Sequence, residues 1–104
     1  MSKELEARFD EAMMEVYRRA LNECGYKATR FLHMLHAHRG PETARLLLHA
    51  ANVSEGYIAL WDRKRLDLTV EALILADEWF PLFDEEERDL ARKRLADYGY
   101  VAKG

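Results

Sequence analysis

The 104-residue sequence contains a single cysteine, Cys24, with only two prolines and five glycines. One cysteine excludes a disulfide framework, and secreted domains of this size usually rely on paired cysteines, so the chain is expected in the cytoplasm. Long apolar runs are missing as well. The longest uncharged and mostly apolar stretches, Leu46 to Val53 and Ala72 to Ala76, fall far short of the roughly 20 residues that a bilayer requires. The start, Met1-Ser2-Lys3-Glu4-Leu5-Glu6, lacks the apolar core of a secretory signal and is too acidic for a transit peptide. No catalytic signature occurs, so no enzyme class and no cofactor is indicated, and nothing predicts a deep pocket lined by convergent polar groups.

Hydrophobic residues at 49% beside charged residues at 34% describe one ordinary globular domain, since disorder needs fewer apolar groups and stronger net charge. The net charge of −3 conceals an uneven distribution. From Tyr26 to Leu66 there are seven basic against three acidic residues and all four histidines, a balance of +4; the remainder has nine against sixteen, or −7. Such asymmetry suggests a face that meets an anion or an acidic partner, provided the side chains point the same way.

Apolar residues at Leu5, Phe9, Ala12, Met13, Val16, Ala20 and Cys24 recur with helical spacing, predicting a helix from Ser2, as N-cap, to about Glu23. Gly25 suits a left-handed helix end. A second helix is expected from Tyr26, with Ala28, Phe31, Leu32 and Leu35 inward, and a third from Pro41, presenting Ala44, Leu47, Leu48 and Ala51. Ser54 is placed to cap a fourth helix carrying Tyr57, Ile58, Leu60 and Trp61. The run Leu66 to Val70 alternates like a strand but has no partner, so Asp67 or Thr69 is read as the cap of a fifth helix through Leu75. Trp79 to Phe83 surround Pro81 in an irregular aromatic plug, and Asp84 to Glu87 form a capping box opening a last helix that buries Leu90, Ala91, Leu95 and Tyr98 and ends at Gly99. The expectation is an all-α single domain, residues 1–104, of about five to six short helices.

Gly25-Tyr26-Lys27-Ala28-Thr29-Arg30-Phe31-Leu32, Leu60-Trp61, Arg65 to Ala72, Leu82-Phe83 and Ala91-Arg92-Lys93-Arg94-Leu95 together resemble a family of small uncharacterised bacterial helical proteins. That resemblance implies a free-standing helical domain and brings no activity, ligand or site residue with it.

The large rings and arginines point to a protein-interaction module, self-associating or part of a larger assembly, with Trp61, Trp79, Phe80, Phe83 and Tyr100 as contact residues. A twofold dimer would follow from a self-complementary patch. The alternative is a nucleic-acid binder with a helix-turn-helix-like unit at about 42–65, in which Tyr57, Arg63, Lys64 and Arg65 meet the nucleic acid. Against it, Glu55 and Gly56 open the recognition helix with no base-reading donors. His33 and His36 share a helical face, and with His49 would supply three imidazoles for zinc, although scattered histidines are commoner than metal sites. Cys24 paired with a histidine would be a nucleophile, but a cysteine on an apolar stripe more often packs as a small hydrophobe.

Overall fold

The apolar stripe at the start of the chain becomes α1 (Ser2–Cys24) in the computed structural model, which describes residues 2–100. Phe9, Met13 and Ala20 are buried along one face, while the side chain of Ser2 lies outside the described residues. Gly25 ends the helix at φ +67 with nothing near a would-be Cβ, so backbone conformation alone requires glycine there. The Tyr26 amide turns back to Ala20 O at 3.0 Å. Tyr26 therefore belongs to a connection, and the next helix starts three residues later than its expected place.

That element, α2 (Thr29–His49), runs antiparallel to α1 and consists of two helical segments, as the periodicity separates them, meeting at a kink. Its break is a single residue, Arg39, at φ 68 and ψ 178. Pro41 has no N–H to donate to the preceding turn and disfavours helical backbone at Gly40, so a kink here is dictated by sequence. The residue that takes the left-handed conformation is nevertheless Arg39 and not the glycine. Gly40 is used for space: a Cβ there would lie 2.7 Å from Asp10 Oδ1 and 2.9 Å from Phe9 Cδ2. Asp10 then ties the kink to α1, accepting the Gly40 N–H at 2.7 Å and the Arg39 guanidinium at 2.6 and 3.1 Å. The buried Thr43 hydroxyl donates to Met34 O at 3.0 Å, bridging the kink.

Short capped elements complete the chain. The Ser54 hydroxyl accepts the Tyr57 amide and caps α3 (Glu55–Asp62). Lys64 turns the chain at φ 60 into a 3-10 turn, Leu66–Leu68, after which Thr69 caps α4 (Val70–Ile74) by accepting the Ala72 amide. The aromatic plug is a second 3-10 turn, Asp77–Leu82. Asp84 and Glu87 form the expected reciprocal capping box at 2.8 and 3.2 Å and open α5 (Glu85–Asp97). The described residues contain no strand, so the architecture is all-α.

The main core gathers where α1, α2, α4 and the second 3-10 turn meet. Phe9 packs edge-on against Trp79 and Phe83, with centroids 5.1 and 5.2 Å apart, among Met13, Leu48, Ile74 and Ala91. Trp79 and Phe83, expected as surface contacts, are therefore taken up by the core. Two smaller clusters stand apart from it, one of Ala20, Leu60 and Leu68 and one of Tyr57, Leu66 and Leu95. On α5 the inward positions fall to Glu87, Arg88, Ala91 and Leu95, and Leu90, expected inside, is exposed. Arg88 is retained inside because its guanidinium donates to the carbonyls of Phe80 and Phe83 and lies under the exposed Phe80 ring.

Gly40→Ala is expected to destabilise the protein by about 2 kcal/mol, since neither Asp10 nor Phe9 can move without loosening the kink. The midpoint of urea unfolding measures this, and an unchanged midpoint would contradict a space-requiring role for Gly40.

Candidate functional site

α3 rests on the Leu66–Leu68 turn and not on α2. The reason lies in the chain path: it leaves α2 at Ala50 in extended backbone and crosses Ala51 to Val53 before α3 begins. This stand-off opens a cleft of about 700 Å³ between α1, α2 and α3, with the start of α4 at its floor. The volume lies within the ~300–1,000 Å³ usual for small-molecule sites. Ala20, Leu60, Leu68 and Val70 make a buried apolar floor, and Phe31, Met34 and Leu47 are partly buried on its α2 side. Tyr17 and Tyr26 add amphipathic rings. Arg30 and Glu55 are exposed lining residues, whereas Glu71 is only 5% exposed.

Glu71 is held by Arg94, which reaches over from α5. Arg94 Nη1 donates to Glu71 Oε2 at 3.1 Å and to Leu47 O at 3.0 Å, and Nη2 donates to Ala50 O at 3.0 Å. The guanidinium thus satisfies carbonyls at the end of α2, where the helix dipole favours a cation, while neutralising the carboxylate. The Tyr57 hydroxyl donates to Arg94 O at 3.1 Å, adding α3 to the same node. Burial pushes the Glu71 carboxyl above its ordinary value of 4.5, against the pull of its own backbone hydrogen bond and of Arg94. Burial and the nearby Glu71 carboxylate also push the Tyr57 hydroxyl well above 10.0.

Four of the seven basic side chains in the middle of the chain are engaged by acceptors within the molecule. Arg39 binds Asp10; Arg45 donates to Leu82 O at 2.6 Å and approaches Glu87. Arg63 caps α1 by donating to Cys24 O at 3.2 Å, with its guanidinium over the Tyr26 ring. Arg65 is forked between Asp67 and Glu23. Glu23, which also receives Arg19, is held down to about 2, chiefly by the Arg19 hydrogen bond and then by that from Arg65. Of the four residues expected to meet nucleic acid, Arg65 is ion-paired, Arg63 is engaged by the Cys24 and Ala59 carbonyls, Tyr57 is 3% exposed with its hydroxyl occupied, and Lys64 alone has no side-chain partner among the described residues. A helix-turn-helix also needs its two helices packed together, and here the cleft separates them.

The three-imidazole arrangement is likewise not assembled. His33 and His36 are exposed on the first half of α2, whereas His49, at its far end, contacts Glu87 Oε2 at 3.2 Å. Among the described residues no group of three or more metal-ligating side chains converges. Cys24 is partly buried against Ala20, Leu60 and Leu68, in keeping with a packing role. Of the expected contact residues, Phe80 is 51% and Trp61 44% exposed, with the Trp61 indole donating to Tyr98 O, while Tyr100 is half-buried beside Tyr57 and Leu95.

Sequence reading did not single out Glu71 or Arg94 and expected no pocket. The available signal was weak: an acid two residues after a Thr cap normally reads as a first-turn helix charge, and only tertiary burial distinguishes it. With the geometry described, comparison with known proteins adds no identification, since no family model, curated protein or solved structure matches this chain.

Because its folded pKa is raised, Glu71 favours folding most below 4.5, and this contribution is lost as pH rises through the raised value. Glu23 has the opposite sign: its contribution is present above 4.5 and is lost as pH falls toward about 2. Glu71→Gln removes only the first, so the stability of the unaltered chain relative to this variant should grow as pH falls from about 7 to 4.5. Urea titrations across that range check it, and a pH-independent difference would contradict the raised value. Arg94→Met should cost about 3 kcal/mol by the same measurement at neutral pH, because it leaves Glu71 buried without its partner and uncaps α2.

Proposed function

We propose that this protein is a non-enzymatic binding module whose working site is the cleft between α1, α2 and α3. The observation carrying this reading is a concavity of about 700 Å³ with an apolar floor in a chain of only 104 residues. A domain this small has little core to spare, and leaving Phe31, Met34 and Leu47 only partly buried and Leu46 41% exposed along an open cleft forgoes dispersion and burial that a closer α3 would recover. A bound guest restores those contacts. Nothing lining the cleft pairs a nucleophile with a base, which supports binding over catalysis.

A protein contact through Phe80 is the second reading. Its ring is 51% exposed yet backed by the buried Arg88 guanidinium 3.3 Å from the ring centre, so it is a rigid apolar anchor that loses little freedom on docking. A second copy seated on it would give a dimer that dissociates on Phe80→Asp, as read by light scattering.

The cleft reading is tested with the neutral fluorophore N-phenyl-1-naphthylamine. The protein should enhance its fluorescence at one saturable site. Gly56 lines the cleft, and a Cβ there would meet the Tyr26 ring and Ser54 at ordinary distances of 3.7 to 3.8 Å. The backbone there accepts a Cβ, and Gly56→Phe, with an unchanged far-UV circular dichroism spectrum as the check on folding, should obstruct the cleft and weaken dye binding at least roughly tenfold, the loss of about 1.4 kcal/mol of contact. Failure of the unaltered protein to bind the dye would overturn the proposal.

A further inference from the structure

Resting on the cleft reading, we infer that the natural guest is a small amphiphile: an apolar body that fills the cleft and a hydrogen-bond-donating amine that meets Glu71. The argument comes from how charge is distributed along the cleft wall. Three charged side chains line it, Arg30, Glu55 and Glu71. Arg30 and Glu55 are exposed, opposite in sign and screened by solvent, so they select weakly. Glu71 is the buried one, at 5% exposure, and sits beside Thr69 and Val70 at the end of the apolar floor.

Arg94 does not reverse this preference. It approaches Glu71 from α5, is absent from the lining, and shares its guanidinium between one carboxylate oxygen and the carbonyls of Leu47 and Ala50. Those carbonyls lie at the negative end of α2, so the cation is shared between two sides, and of the ion pair it is Glu71 that borders the cleft. A carboxylate accepts several hydrogen bonds, and Oε2 already receives Arg94; further lone pairs remain for a donor entering from the cleft. Two neighbouring hydroxyls offer less competition for that donor. Thr69 Oγ1 donates to Leu66 O and accepts from the Ala72 amide, and the Tyr57 hydroxyl is committed to Arg94 O. An anionic head would face Glu71 directly and is disfavoured by both repulsion and desolvation.

The experiment is displacement of bound N-phenyl-1-naphthylamine from the unaltered protein by octylamine, octan-1-ol and octanoate, which share one apolar chain and differ in the head. Octylamine should compete roughly tenfold more tightly than octan-1-ol, with octanoate weakest, as expected when a hydrogen bond involves a charged group. In Glu71→Gln the spread should collapse to roughly twofold, while Arg94 keeps its two carbonyl partners. Equal competition by all three, or tightest binding by octanoate, would overturn the amine assignment while leaving the cleft as a binding site. Absence of dye binding would overturn both. If Glu71→Gln fails to fold, the head-group order in the unaltered protein still decides the question.

Discussion

Arg94 on α5 links three other elements by hydrogen bonds, adding directional contacts to the apolar packing between them. It caps α2 through Leu47 O and Ala50 O, neutralises Glu71 at the start of α4, and through its own carbonyl receives the Tyr57 hydroxyl of α3. Elsewhere the molecule is held by the Phe9, Trp79 and Phe83 cluster, a dense edge-to-face core. Around the cleft the apolar clusters are smaller, and directional polar contacts supplement them. A hydrogen-bonded cation can hold helices apart at a set distance, whereas dispersion draws them as close as their side chains allow.

The same use of directional contacts recurs at other arginines of the chain. Arginine combines a long apolar stem with a planar fork of donors, which suits it to terminating helices whose last carbonyls lack partners. Arg63 serves α1 and Arg94 serves α2 in this way, and Arg88 and Arg45 satisfy carbonyls of the aromatic turn. The charge asymmetry between the middle and the flanks of the chain is therefore largely internal: Arg39 meets Asp10, and Arg65 meets Glu23. Among the described residues of the middle of the chain, Lys27, Arg30 and Lys64 have no side-chain partner, and all three are exposed. A binding site built on the cleft consequently depends on its apolar floor and on one buried carboxylate far more than on net charge.

Much of the local structure is legible in the residues themselves. Ser54, Thr69 and the Asp84 to Glu87 box act as caps because a short polar side chain beside its own backbone needs no tertiary help to find the first free amides. Gly25 and the helical stripe of α1 are local in the same sense. Reading fails where a residue's role is set across the chain. Pro41 announces a break, but that Arg39 takes the left-handed backbone follows only from Phe9 and Asp10 lying against Gly40. Trp79 and Phe80 are adjacent and both large, yet one is 3% and the other 51% exposed, because a tight turn points neighbouring rings in different directions.

By itself, then, the amino-acid order determines an all-helical chain, most helix starts and stops, and the inward stripe of α1, since each depends on neighbours within a turn or two. Tertiary structure alone decides that Arg39 carries the break within α2, that α3 stands away from that helix, and that Glu71 becomes a buried side chain lining a cleft. The physical reason is separation along the chain. Arg94 lies 47 residues from Leu47 and 23 from Glu71, and no periodicity records which distant carbonyls a guanidinium will find.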